Sequence, residues 1–422
     1  MRVGAAVPSQ VWSNTGVERV STTSDQPARR PVIALVSPWH PEPTDNGSKH
    51  RLRRLIDTFS DEYDVFLIVL QSDTDGSPEI HGQVPGVWRL TVLPIPNFRP
   101  RSLRSIAASL HPYPRSFVAT WDQEIAKAIS AEVRTAQAHL VIGTDLRIVR
   151  YLQSIDPKTP VILDEANVSP FVGMSTDRSP SALRAMVRER KYQRLLNARR
   201  TIEVVVVPSR QEAIAYQSLA PSSAVQVIPN GVGAVPATPW QPPGTEVLLY
   251  TGSLTYGPNL EAVTWYERAI LPLLKTQLAC PVLHITGALP DAIPDRIKQP
   301  AFRLTGRLDD LDPMFRASGV FVAPILSGTG TRIKILEALA YGIPIVTTSK
   351  GCEGIPLVPG RHALIADTPA DFALAILRVL QNPGFAMELG ASGRAFVQQH
   401  GTWDKSAEQF LTIVANLLKQ ER

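Results

Sequence analysis

Ala323-Pro-Ile-Leu-Ser-Gly-Thr-Gly-Thr-Arg-Ile-Lys-Ile-Leu-Glu-Ala-Leu-Ala340 reads as the end of a buried strand, a glycine-rich turn and an amphipathic helix. That order is the layout of an anion site. Backbone N–H groups of Gly328, Thr329, Gly330 and Thr331 can point at a ligand, and the unpaired N–H groups of a helix start add a partial positive charge. Thr331 is a candidate N-cap. Arg332 and Lys334 then fall in the first helical turn, where the helix dipole disfavours cations by about 0.3–1 kcal/mol each. A diphosphate would compensate them, Arg offering a planar fork and Lys a point charge. The alternative is that both side chains reach past the helix into solvent. Glu337, three residues after Lys334, shares its helix face. It is placed either for a salt bridge or, one turn behind a phosphate site, to accept hydrogen bonds from the ribose hydroxyls of the same nucleotide.

Outward from this segment the chain alternates strand and helix. In the second half, 247–251, 282–286, 319–324, 343–347 and 362–366 read as strands, and 259–275, 332–341 and 369–380 as helices. In the first half, Val32-Ile-Ala-Leu-Val-Ser37 and Asp64-Val-Phe-Leu-Ile-Val-Leu70 are strands. Between them, Arg51, Leu52, Leu55, Ile56 and Phe59 mark an amphipathic helix, a unit of the length a parallel crossover needs. Apolar runs at 139–142, 160–163 and 203–207 extend that sheet, with a helix at 181–200. Pro236, Pro239, Pro242, Pro243 and Gly244 resist both helix and sheet and predict a linker. The expected organisation is a tail over 1–30, a first Rossmann-like domain over 31–235, a linker over 236–244 and a second such domain over 245–402. A final helix over 403–422 would pack back toward the first domain. This α/β architecture of two doubly wound domains places ligands beyond the carboxyl ends of the strands, in the cleft where the domains face each other.

The composition agrees with a folded, multidomain chain: 422 residues, 44% apolar and 19% charged. The net charge of +5 is carried by residues 1–235, with 27 basic and 22 acidic residues against 16 and 16 in the remainder. That surplus is too dilute for nucleic acid, and it suits an anionic substrate or a membrane surface. Cys280 and Cys352 cannot form a Cys-x-x-Cys pair or a four-ligand zinc site, which points to a reducing compartment. With no apolar run long enough to span a bilayer and no signal-peptide core in residues 1–30, the expected location is the cytoplasm, with peripheral contact at the inner membrane face as an option.

Gly328-Thr-Gly-Thr-Arg-Ile-Lys-Ile-Leu-Glu-Ala-Leu-Ala-Tyr-Gly-Ile-Pro-Ile-Val346, followed by Gly351-Cys-Glu-Gly-Ile355, resembles the donor-binding core of retaining glycosyltransferases of family 4, which have the GT-B fold. Val205-Val-Val-Pro-Ser209, Val227-Ile-Pro-Asn-Gly-Val232, Thr251-Gly-Ser-Leu-Thr-Tyr-Gly-Pro-Asn259 and Asn46-Gly-Ser-Lys49 resemble further segments of that family, over residues 31–415 in all. The resemblance implies transfer of a sugar from a nucleoside diphosphate sugar to a carbohydrate, lipid-linked or small-molecule acceptor, with retention at the anomeric carbon. No metal or other cofactor is implied. Arg332, Lys334 and Glu337 would be the catalytic set. Gly47, Gly252, Ser253, Gly328, Thr329, Gly330, Thr331, Glu353 and Gly354 would bind the donor, and Asn46, Lys49, Asp164 and Asn167 would lie on the acceptor side.

Three departures stand out. Thr329 occupies the place of the first glutamate in the family's Glu-x7-Glu pair, the usual Arg and Lys are missing from 252–258, and Ala166 stands where a histidine is common. Ala166 and Thr329 keep open a nucleotide-sugar-binding protein without catalysis, and a nucleotide-sugar epimerase on the same fold is a second alternative. Asp73-Thr-Asp75 reads as a solvated turn. Lys49, His50, Arg51, Arg53 and Arg54 could present cations to an acceptor or form a solvated face. The segment 98–117 mixes Arg99, Arg101, Arg104 and Arg115 with Leu103, Ile106, Leu110 and Tyr113, a composition that suits either a membrane interface or a surface helix.

Overall fold

In a computed structural model, residues 20–23, 30–44, 46–72, 83–168, 180–198, 202–330 and 332–420 are described. The chain divides into two units, residues 1–228 with 407–422, and residues 229–406.

The first unit is built on one sheet. Its strands are β1 (Val20–Thr23), β2 (Val32–Ser37), β3 (Asp64–Ser72), β4 (Arg89–Ile95), β5 (Leu140–Gly143), β6 (Val161–Asp164), β7 (Val204–Val207) and β8 (Val225–Val227). Their order is β1-β4-β3-β2-β5-β6-β7-β8, parallel throughout except for β1. Every residue of β2 is buried, as a strand covered on both faces must be. Within the stretch read as a tail, Val20–Thr23 pairs antiparallel with β4. The helix Gly47–Ser60 buries Leu52, Leu55, Ile56 and Phe59 at helical spacing. Phe59 meets the ring of Phe410 edge-on, which ties the last helix, Trp403–Gln420, to this unit.

The second unit carries β9 (Val247–Thr251), β10 (Val282–Thr286), β11 (Phe302–Gly306), β12 (Val320–Ala323), β13 (Ile345–Thr347) and β14 (Leu364–Ile365). All are parallel, in the order β11-β10-β9-β12-β13-β14. Consecutive strands run outward from β9 on one side and from β12 on the other, so the crossover point lies between those two. The proline-rich stretch expected as a linker is packed onto this unit instead. Trp240 is buried with its indole N–H on the Ser318 carbonyl at 2.9 Å, and Arg394 reaches the Pro236 carbonyl. Five residues that resist regular structure can still bury an aromatic anchor, and composition alone does not reveal that.

The helix Ile333–Tyr341 is braced from behind by Pro383–His400. A Cβ on Gly390 would run into the Gly342 carbonyl, and one on Gly393 would come within 2.5 Å of a Leu339 methyl. Arg394 donates to the Ala340 carbonyl at 2.5 Å, a cation at the negative end of the helix dipole.

Candidate functional site

β9 ends at Thr251 and the chain turns at Gly252, whose φ is +148°. A side chain there would run into the Lys334 ammonium and fall 2.9 Å from the Asn259 amide nitrogen, so only glycine lets these groups converge. Asn259 belongs to the helix Gly257–Trp265 that opens after this turn. Its amide donates to the Ser253 carbonyl at 2.8 Å, and its Oδ1 accepts from the Tyr250 hydroxyl at 2.7 Å and from Lys334 Nζ at 3.0 Å. Lys334 Nζ also donates to the Tyr250 oxygen at 3.1 Å and lies 4.2 Å from the centre of that ring. Burial, and secondarily the nearby Arg332 charge, bring the half-buried Lys334 down to about 7, with Glu337 opposing. Burial pushes the Tyr250 phenol well above its ordinary value, so it is a neutral partner.

Arg332 precedes the helix rather than entering it. The helix starts at Ile333, which leaves Lys334 as the cation in its first turn. Arg332 is buried, at 8% exposure. Its two terminal nitrogens donate to the carbonyls of Thr329 and Ser327, each at 3.0 Å, and its Nε is buried without a partner. Gly328 and Gly330, with φ of +90° and +82°, fold the turn back over it. A Cβ on Gly328 would lie 3.1 Å from Arg332 Nη2 and 3.1 Å from the Tyr256 hydroxyl. The Ser327 hydroxyl is bonded to Glu261. Among the described residues no carboxylate pairs with Arg332 or Lys334. A buried guanidinium is ordinarily neutralised by one, because leaving it unpaired is expensive. Glu337 is half-buried and forms no ion pair with Lys334; burial raises its carboxyl, opposed in part by that ammonium. Thr331 lies outside the described residues.

β13 is the next strand along, and its loop carries Glu353, ion-paired with Lys350, and Gly354 at φ +83°. Thr347 Oγ1 bonds the Ala323 carbonyl at 3.1 Å and Thr348 Oγ1 the Ile325 carbonyl, so this loop is fixed against the end of β12. The second unit therefore gathers Gly252, Ser253, Gly328, Thr329, Gly330, Arg332 and Lys334 at the ends of β9 and β12, with Glu353 and Gly354 beyond β13. Two members of this group, Tyr250 and Asn259, were not singled out from the sequence. Tyr250 lies inside an apolar strand and Asn259 at a helix start, where each has an ordinary explanation; their joint position around a glycine turn was the available signal.

In the first unit, Asn46 caps the helix Gly47–Ser60, its side chain accepting from the Lys49 N–H at 3.0 Å. Gly47 is the first helical residue. Asp164 is not open to an acceptor. Its carboxylate is held by Arg51 through bonds of 3.0, 2.8 and 2.7 Å, with both side chains buried. Arg53 is likewise bonded to Asp57 and to the Pro85 carbonyl, so Arg51 and Arg53, two of the five cationic positions on this helix, are neither presented to an acceptor nor simply solvated. Asn167 donates its backbone N–H to Glu165 at 2.7 Å. Glu165 is buried, also accepts from the Leu146 N–H, and is raised to about 8, chiefly by burial and then by Asp145. Asp73 and Asp75 lie outside the described residues.

Residues 245–382 match the family model for Glycosyl transferases group 1, a span that contains the whole gathered site of the second unit. An uncharacterized 44.6 kDa protein in the cps region of Klebsiella pneumoniae is 24% identical over 162 residues, which cover 36% of this chain and 42% of that protein. The chain spans less than half the length of the curated relatives it matches. Among solved structures, sucrose-phosphate synthase from Thermosynechococcus elongatus superposes with a TM-score of 0.66 at 18% identity, covering 93% of this chain and all of the other. Anabaena HepE in complex with UDP and glucose gives 0.59 at 13% identity, covering 90% and 99%. The fold is the GT-B fold of these structures, two parallel-sheet α/β domains.

Proposed function

We propose that this chain is a glycosyltransferase that moves a sugar from a nucleoside diphosphate sugar to an acceptor hydroxyl with retention of anomeric configuration. The observation that carries the reading is the buried Arg332 guanidinium, with an unpartnered Nε and no carboxylate partner among the described residues, beside the Lys334 ammonium at the crossover point of a doubly wound sheet. Two uncompensated cations under a glycine turn fit a diphosphate. The family match over the same residues and the resemblance of 328–346 to a donor-binding core support the sugar.

In the proposed step the bond from the anomeric carbon to the diphosphate oxygen breaks and a bond to the acceptor oxygen forms on the same face. The hydroxyl proton passes to the departing phosphate. Arg332, Lys334 and the helix start stabilise the charge that develops there, and Glu337 holds the ribose. No metal enters this scheme, since those cations already answer the diphosphate charge.

The test is thermal stabilisation by UDP-, GDP-, ADP- and dTDP-sugars, on the parent and on Glu337→Ala. UDP-glucose is the first to try, because HepE has been seen with UDP and glucose. Saturation at a hundred times Kd should stabilise the parent by about 2.7 kcal/mol, and the same concentration should stabilise the variant much less. No shift with any nucleotide sugar would overturn the reading. Binding followed by isomerisation of the donor, in place of transfer, would replace it with an epimerase.

A further inference from the structure

The first unit carries an exposed surface that the proposed chemistry does not use. Leu103, Ile106 and Leu110, spaced as one helical face, are 86%, 56% and 93% exposed on the segment formed by Leu103–Ala107 and Ala108–Leu110. Three large apolar side chains on one face would be expected to turn inward, and here the segment is pinned in the opposite sense. Arg104 bonds the Trp121 carbonyl, Ser102 caps the helix, and the side chains turned inward are the small Ser105 and Ala108.

A second apolar row continues the first. On the helix Pro180–Leu196, Leu183, Met186 and Val187 are exposed. Leu183, Val187 and Lys191 follow one another at intervals of four, a ladder along one face. Lys191 Nζ ends that ladder on the Ser109 carbonyl at 2.7 Å, next to Leu110. That bond brings the lysine end of the second row to the first, and six exposed large apolar side chains on these two segments exceed the scattered single apolar residues normal on a surface.

Among the described residues the exposed charge beside them is positive. Between Glu79 and Asp122 the sequence has no Asp or Glu, while Arg99 and Arg101 are exposed beside the first row. Arg184, Arg188 and Arg190 are exposed beside the second, and the nearby Glu189 is half-buried and bonded to Gln193. A second copy of the chain would bring arginines against arginines, and a nucleic acid would leave the apolar centre unmatched. A bilayer with anionic headgroups answers both, apolar side chains entering the acyl boundary while the arginines meet phosphate. Neither contribution alone holds a protein on a membrane; the pair does.

We infer that Leu103, Ile106, Leu110, Leu183, Met186 and Val187, ringed by Arg99, Arg101, Arg184 and Arg188, form a docking surface for an anionic lipid bilayer. It is independent of the transferase reading, because docking requires no donor.

The test is flotation of the full chain, without nucleotide sugar, on vesicles of phosphatidylcholine alone and of equimolar phosphatidylglycerol and phosphatidylcholine. The parent should float with the mixed vesicles, not with phosphatidylcholine alone, and should be released by salt. L103S/I106S/L110S and, separately, R99E/R101E/R184E/R188E should each weaken partition onto the mixed vesicles by about tenfold or more. All replaced side chains are exposed, so both variants should keep the parent's melting temperature. The parent measurement stands without them in any case. Failure of the parent to float on mixed vesicles overturns the proposal. So does equal flotation of parent and both variants, or a parent dimer that either variant makes monomeric.

Discussion

Each unit buries an arginine at the carboxyl ends of its central strands, and the two are treated in opposite ways. In the first unit Arg51 is closed by Asp164, with its remaining terminal nitrogen on the Ile228 carbonyl at 3.2 Å and the Phe410 ring beside it. In the second, among the described residues, Arg332 meets two carbonyls and has an unpartnered Nε, and its neighbour Lys334 is held by a phenol and an amide. Closed charge is architecture. Open charge at a crossover point is an unmet demand for an anion, and the contrast supports the proposed donor site in the second unit without any appeal to similarity.

The largest effect follows from opening the closed pair. Asp164→Ala would leave the Arg51 guanidinium buried and uncompensated, which costs about 3–5 kcal/mol. Urea denaturation should show that loss. Replacing both partners with apolar residues, Arg51→Met with Asp164→Leu, should recover most of it, since a well-packed apolar pair can equal a buried ion pair. If Asp164→Ala kept full stability and lost only transfer activity, Asp164 would be an acceptor residue after all.

The opposite result is expected in the second unit. Arg332→Ala should weaken donor binding by about 1.5–3 kcal/mol, the range for hydrogen bonds to charged groups. It should leave stability unchanged or raise it, because it removes an unpaired buried charge. Calorimetry with the nucleotide sugar found by thermal shift reads the first quantity and denaturation the second. Equal losses in both would make Arg332 a structural brace.

Much of this was legible before the structure. The glycine turn, the helix behind it and the alternation of strands are written as local patterns of two and 3.6 residues, and they fold where those patterns lie. Other elements were missed, β4, β8 and the helices Gln123–Thr135 and Arg210–Leu219 among them, and three cases show why. β11 is an edge strand in which only the first residue, Phe302, is buried, so it carries no alternation. Pro383–His400 holds Gly384, Gly390 and Gly393, which lower helix propensity and hide the helix, yet two of them are what admits its close approach to Ile333–Tyr341. Arg51 looked like one cation in an exposed row, and its partner lies 113 residues away on β6. Pairings at that separation leave no mark in a local pattern. The same limit applies to Tyr250 and Asn259, whose meeting at Lys334 joins residues 84 and 75 positions apart.

The smallest effect concerns protons, and it separates an open cation from a merely buried one. Lys334 is lowered to about 7 by burial and by Arg332. Its folded value lies below its unfolded one, so the penalty on folding is full below about 7 and fades as pH rises toward the ordinary lysine range. Donor binding should run the other way. A diphosphate favours the ammonium, so above pH 7 binding must take up a proton, and affinity should fall toward a limit of about tenfold per pH unit. Lys334→Arg stays charged throughout, so its affinity, whatever its absolute level, should lose that slope. Isothermal titration from pH 6.5 to 9 in buffers of different ionisation enthalpy counts the proton directly. Uptake of a proton by the parent and none by the variant would identify Lys334 as a diphosphate ligand. Identical profiles would mean that Lys334 serves Tyr250 and Asn259 alone.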